Sequence, residues 1–407
     1  MKYSLILLIV FFGIKAAVAQ KIKVKKVFDF AQSQTDLMLK EIEKADVNAG
    51  QTFPRTVEQG KLKLVKSKDW TSGFFPGVLW YLYEYTGDEK YLHSAIQFTE
   101  KLEKEQFNTG THDLGFIIYC SYGNGYRLTN NEVYKNVIIQ SAKSLSQRFS
   151  PKAGVIRSWD HNRDKWEYPV IIDNMMNLEL LFKASRFTGD SSYYKIAVAH
   201  ADNTLKNHFR PDYSSYHVVD YTPDGTVRTK ATHQGYSDAS AWARGQAWAL
   251  YGYTVSYRET GNKAYLKQAE GVAKLILKNL PSDMVPFWDY NDPNIPNAPR
   301  DVSAAAITAS ALFELRNYSE NSKLYSKAAT KMLKKITKKY RSQAGGNKGF
   351  ILDHSTGHKP VNSEIDVPLN YADYYFLEAL LRYKGTINPH EKAVETVALT
   401  SKKRLKT

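Results

Sequence analysis

Apolar residues recur along this chain at i, i+3, i+4 and i+7, the spacing that places them on one face of an α-helix. Tyr265, Ala269, Val272, Ala273, Leu275 and Ile276 illustrate it. Few segments alternate with the period of two expected of half-buried strands. The helical stretches are broken five times by turns of one kind. They are Thr86-Gly87-Asp88 before Tyr91, Thr129-Asn130-Asn131 before Tyr134, Thr188-Gly189-Asp190 before Tyr193, Thr260-Gly261-Asn262 before Tyr265, and Tyr318-Ser319-Glu320 before Tyr325. Gly or Asn supplies the left-handed residue that stops one helix. Asp, Asn or Ser caps the next, and the Tyr anchors its first turn. Five helical hairpins follow. A leading helix near residues 27–45 and a trailing one near 367–383 can pair and close the array. Irregular spacing between the turns argues for a closed toroid with long loops rather than an open solenoid. The expectation is one all-α domain over residues 20–395, an (α/α)6 barrel.

The ends of the chain read differently. Lys2, an apolar run from Leu5 to Ile14 and the small residues Ala17-Val18-Ala19 have the form of a signal peptide over residues 1–19. That predicts a periplasmic or secreted protein. No cysteine lies near the cleavage site, so no lipoprotein anchor is expected. No later stretch approaches the apolar length of a membrane span. Residues 396–407 form a basic tail. Cys120 is the only cysteine, which excludes an intramolecular disulfide and a cysteine-based metal site.

The net charge is +15. Lysines on solvated helix faces, such as Lys331, Lys334 and Lys335, account for part of it, and attraction of a polyanion is the sharper reading. Export argues against nucleic acid as a partner and leaves an acidic polysaccharide.

Candidate chemistry gathers at the start of the first helix of each hairpin. The segments are Asp69-Trp70 through Gly77, His112-Asp113, Asp173-Asn174, Ser240 through Trp248, and Pro299-Arg300-Asp301. In a ring of hairpins the first helices run the same way, so these clusters meet at one mouth. The mouth then offers two carboxylates, Asp113 and Asp173. It offers Trp70, Trp242 and Trp248 as stacking platforms, and His112, Asn174, Gln234 and Arg244 as polar contacts. His217, Asp160 and His161 lie in loops that reach the same region. Each residue alone has an ordinary explanation: an Asp at a helix start is a cap, and Trp242 and Trp248 need not share a face. Together, aromatic platforms with hydrogen-bonding rims suit a sugar ring, and paired carboxylates suit glycosidic chemistry. There is no Gly-rich phosphate loop, no Ser nucleophile elbow and no His-Glu-x-x-His. No metal or organic cofactor is expected.

The runs 69–77, His112-Asp113-Leu-Gly-Phe, Asp173-Asn174-Met-Met-Asn, His233-Gln234-Gly-Tyr, Trp242 through Trp248 and Asp373-Tyr-Tyr-Phe-Leu-Glu-Ala-Leu resemble, in order, the unsaturated glucuronyl hydrolases of glycoside hydrolase family 88. The resemblance implies an (α/α)6 barrel acting on oligosaccharides that end in a 4,5-unsaturated uronic acid. It implies hydration of the C4=C5 double bond, with Asp173 as acid/base and Asp113 as the second essential carboxylate. Trp70, His112, Asn174, His217, Gln234, Trp242, Arg244 and Trp248 match substrate-contacting positions. One departure stands out. Streptococcal relatives carry Ser-x-x-Ser-x-Lys before the last helix, where this chain reads His358-Lys359-Pro-Val-Asn-Ser363, so sulfate recognition by that pattern is not expected. The alternatives are a related unsaturated rhamnogalacturonyl hydrolase, a non-catalytic oligosaccharide binder, which would need neither carboxylate, and a sugar epimerase, which would need a histidine pair.

Overall fold

The turns do what their residues dictate. A computed structural model describes residues 21–45 and 50–387; the signal-peptide and basic-tail readings lie outside them. Its helices are α1 (Val24–Lys44), α2 (Phe74–Thr86), α3 (Glu89–Glu100), α4 (Asn124–Thr129), α5 (Glu132–Ser146), α6 (Leu178–Thr188), α7 (Ser191–Asn207), α8 (Ala243–Thr260), α9 (Lys263–Asn279), α10 (Val302–Leu315), α11 (Ser322–Lys339) and α12 (Asn370–Lys384). Gly87, Asn130, Gly189 and Gly261 hold left-handed backbone and end α2, α4, α6 and α8. Asp88, Asn131, Asp190 and Asn262 each accept a backbone N–H two residues on and cap the following helix. Tyr91, Tyr134, Tyr265 and Tyr325 are buried. The fifth turn departs from the pattern: Asn321 makes no side-chain cap for α11, and the Ser319 hydroxyl instead donates to Glu270 of α9.

α2, α4, α6, α8, α10 and α12 form the inner ring, and α12 closes it by packing on both α10 and α2. α4 is the continuation of a π-helical stretch, Gly115–Gly123. α10 is buried along its whole length and apolar nearly all round, and α8 and α12 are buried over most of theirs. The outer helices α3, α5, α7, α9 and α11 are amphipathic. α1 takes the sixth outer place. Its Phe28 stacks on Tyr85 of α2 at 3.8 Å, and its Gln34 bonds the carbonyls of Gly346 and Phe350.

Short strands, which the helical periodicity does not predict, occur in the segments leading into inner helices. β1 (Phe53–Glu58) pairs with β2 (Lys61–Val65) ahead of α2, and β3 (Phe149–Ser150) with β4 (Val155–Ile156) ahead of α6. β5 (Pro169–Ile171), β6 (Val218–Tyr221) and β7 (Val227–Ala231) make one antiparallel sheet, and β8 (Ser355–His358) pairs with β9 (Ser363–Val367) ahead of α12. They therefore collect at the end of the barrel where the inner helices begin. The other end holds a cavity of about 440 Å³ crossed by ion pairs. Arg258 bonds Glu179 and, at 2.8 Å, Glu314, and Arg382 lies 2.8 Å from Glu314. These pairs tie α6, α8, α10 and α12 together.

Candidate active site

Two irregular helical turns place the carboxylates. His112 and Asp113 immediately precede the π-helical stretch. That stretch lies against the turn leading into α6 so closely that a Cβ on Gly115 would meet Asn177 at 2.6 Å. Asn177 Oδ1 also accepts the Phe116 N–H at 3.1 Å. Wide π turns of this kind recur at functional sites. Asp173 sits on a 3₁₀ turn, Ile172–Asn177, fed by β5. The Ile172 N–H donates to the His217 carbonyl at 3.0 Å, which registers this turn against β6.

The two carboxylates line one cavity of about 360 Å³. Trp70, Phe116 and Tyr371 form an aromatic wall, and Trp159, His161, His233 and His358 stand among the residues lining the rest. Asp113 is held by the Thr111 hydroxyl at 2.8 Å and lies 3.1 Å from His112 Nε2. Asp173 is buried, and desolvation pushes its pKa up to about 7. The Arg244 charge opposes that rise, the Asp113 charge adds to it, and the Trp248 indole opposes it. Beside Asp173, His217 Nδ1 accepts the backbone N–H groups of His233 and Gln234 at 3.1 and 3.0 Å. The neutral ring must then carry its proton on Nε2, which faces Asp173 Oδ2 at 3.6 Å. Burial keeps His217 neutral, well below the usual histidine pKa.

Arg244 is fully buried and immobilised. It pairs with Asp301 at 2.9 Å, donates to the carbonyls of Thr356 and Gly357, and stacks 4.4 Å over Trp242. Its Nε has no partner. Gln234 also donates to the Gly357 carbonyl, at 3.1 Å. Gly357 cannot be larger, because a Cβ there would meet Glu364 at 2.4 Å. The β8–β9 hairpin that presents these carbonyls is clamped by Arg55, which bonds Glu364 through two nitrogens at 2.6 and 2.9 Å and Asp69 through a third.

Of the residues expected from the sequence, Asp113, Asp173, Trp70, His112, Gln234 and Arg244 line the cavity. Asn174, His217, Trp242 and Trp248 stand behind its wall. Asn174 is fully buried and donates to the Ile156 carbonyl at 2.8 Å; Trp248 packs on Phe116 at 5.1 Å. His161 lines the cavity, whereas Asp160 is turned to Arg148 and Arg157. Sequence reasoning missed Arg55, Glu364, Phe116 and Tyr371. The Arg55–Glu364 contact spans 309 residues, and nothing local marks either partner. Tyr371 had a signal, two residues before the Asp373 motif. In the departing segment 358–363, His358 reaches the cavity, while Lys359 turns to Asp292 at 3.7 Å and the Trp288 ring at 5.0 Å. Among the described residues no group of three His, Cys, Asp or Glu side chains could hold a metal ion.

Comparison with known proteins agrees with this geometry. A Formosa agariphila unsaturated glucuronyl hydrolase is 53% identical over 342 residues, covering 82% of this chain and 85% of the relative. A Bacillus sp. unsaturated glucuronyl hydrolase is 35% identical over 82% of this chain and 91% of its own. The crystal structure of an unsaturated glucuronyl hydrolase specific for heparin superposes with a TM-score of 0.84 at 45% identity, covering 89% of this chain and 97% of that one. Residues 42–386 match Glycosyl Hydrolase Family 88, and the chain, an (α/α)6-barrel glycosidase, belongs to that family.

Proposed function

We propose that this enzyme removes the 4,5-unsaturated uronic acid from the non-reducing end of acidic oligosaccharides of the glycosaminoglycan type, the fragments polysaccharide lyases release. The observation that carries the reading is Asp173, a buried carboxyl with a pKa near 7, beside a second carboxylate in a cavity the size of a sugar. A donor of a proton to carbon must keep that proton at neutral pH. Asp173 protonates C4, and positive charge develops at C5, shared with the ring oxygen. The resulting carboxylate, steadied by the Trp248 and His217 N–H groups, takes a proton from water as the hydroxyl adds to C5. One water is consumed, Asp173 regains its proton, and the hemiketal opens to release the remaining sugar. Asp113, fixed by Thr111 and His112, holds ring hydroxyls. Arg244, which lines the cavity, lies near enough to offset part of the substrate's charge. Relatives of known action support the class: curated streptococcal relatives are unsaturated chondroitin disaccharide hydrolases. We further place the enzyme outside the cytoplasm, on the form of residues 1–19; fractionation of cells expressing the full chain tests that.

The decisive experiment follows the ultraviolet absorbance of the conjugated double bond in unsaturated heparin and chondroitin disaccharides. Loss of absorbance with the enzyme, absent with Asp173→Asn, is expected. No loss with any lyase product overturns the reading.

A further inference from the structure

The charge that makes this protein basic is concentrated away from the site. α9 carries four lysines and one glutamate, and α11 carries seven lysines and no acidic residue. These two helices hold a net +10 of the chain's +15. They are neighbours in the outer ring: Ser319, just ahead of α11, donates to Glu270 of α9, and Tyr340 at the end of α11 donates to Asp283 beyond α9 at 2.8 Å. Lys323, Lys327, Lys331, Lys334 and Lys338 follow one another at three and four residues, so they share a face. They run along a helix about 27 Å long. Lys263, Lys267, Lys274 and Lys278 form a parallel row of exposed side chains on α9. Among the described residues none of these eleven lysines forms an ion pair. α1 is the internal control: its four lysines are matched by four acids, and Lys25 and Lys44 are paired. Two adjacent rows of unneutralised charge form a field that self-repulsion makes costly.

We propose that the α9–α11 face is a docking surface for a long anionic polysaccharide, holding the enzyme on the polymer whose fragments it trims. The choice of occupant rests on the function proposed above; the surface itself does not. Lysines are point charges on flexible stems, suited to a polyanion read along its length. A nucleic acid site would add arginine forks or stacking aromatics, and the exposed rows contain neither. A membrane site would need an apolar face to insert. Six apolar residues of α11 (Tyr325, Ala328, Ala329, Met332, Leu333 and Ile336) are buried in the barrel, and Leu324 alone is exposed, too little to form an inserting face.

The test compares two four-lysine reversals in the full chain, Lys→Glu at 323, 327, 331 and 338 on α11, and at 26, 143, 195 and 206 on α1, α5 and α7. Each is eluted by salt from immobilised heparin and chondroitin sulfate. The α11 variant is expected to elute at about half the salt of the unmodified protein, and the control, with the same net charge, to stay near it. Both should turn over unsaturated disaccharide normally. Equal early elution overturns the proposal, because net charge alone then explains retention. Retention independent of α11, with α11-dependent binding to phosphatidylserine vesicles, overturns it in favour of a membrane. If the α11 reversal does not fold, judged by circular dichroism, the same four positions as Gln carry the test. Early elution of the α11 variant alone, with no turnover by the unmodified protein, leaves the surface standing and sinks the function. Normal turnover with equal retention of both variants does the reverse.

Discussion

The cavity and the α9–α11 face treat positive charge in opposite ways. The two arginines that line the cavity are each committed. Arg55 is forked onto Glu364 and also bonds Asp69, and Arg244 is locked to Asp301 and two carbonyls. Among the described residues the eleven lysines of the outer face form no ion pair. A buried charge must be paired, since losing water costs several kcal/mol per ion; an exposed one keeps its hydration and needs no partner. The site's cations therefore hold its architecture, and most of the net charge acts at a distance, screened within about 8 Å at physiological salt. Net charge alone identifies neither.

Asp173→Asn should lower kcat about a thousandfold or more while leaving disaccharide binding within a few-fold, measured by turnover and calorimetry. A near-normal rate would remove Asp173 from the acid/base role. Next, Arg244→Met strands Asp301 in the interior and should cost about 3–5 kcal/mol of stability, read by urea unfolding; a loss near zero would mean the pair is not structural. The pH profile is subtler. Asp173 must be protonated to act, and its pKa is about 7, so kcat/KM should fall tenfold per pH unit above it. Trp248→Phe removes a group that lowers this pKa, so the falling limb should move to higher pH. A limb unmoved by that change would place the titration elsewhere. Smallest of all, Lys327→Met on the outer face should change stability by no more than about 0.5 kcal/mol and leave kcat/KM unaltered. A large loss from it would show that the two regions are coupled.

Much of the barrel was readable because its signals are local. Gly87, Asn130, Gly189 and Gly261 announce the ends of helices, and the residue after each caps the next. Both carboxylates were legible for the same reason: they stand at fixed offsets from helix starts that the ring brings together. The strands were not legible, because segments of two to six residues are too short to display a period. The division of the expected site into a lining and a supporting layer was not legible either. Trp242 and Trp248 are chemically identical in sequence, and both are packed behind the wall.

What the sequence determined by itself is therefore what depends on neighbours along the chain: helices, caps, their number and their common direction, and the crowding of polar residues at one end. What only the tertiary structure decided is what depends on neighbours in space. Arg55 meets Glu364 across 309 residues, and two backbone N–H groups set the tautomer of His217. The pKa of Asp173 exists only because a closed barrel removes its water. Desolvation is a property of the packed assembly, and no single segment of the chain carries it.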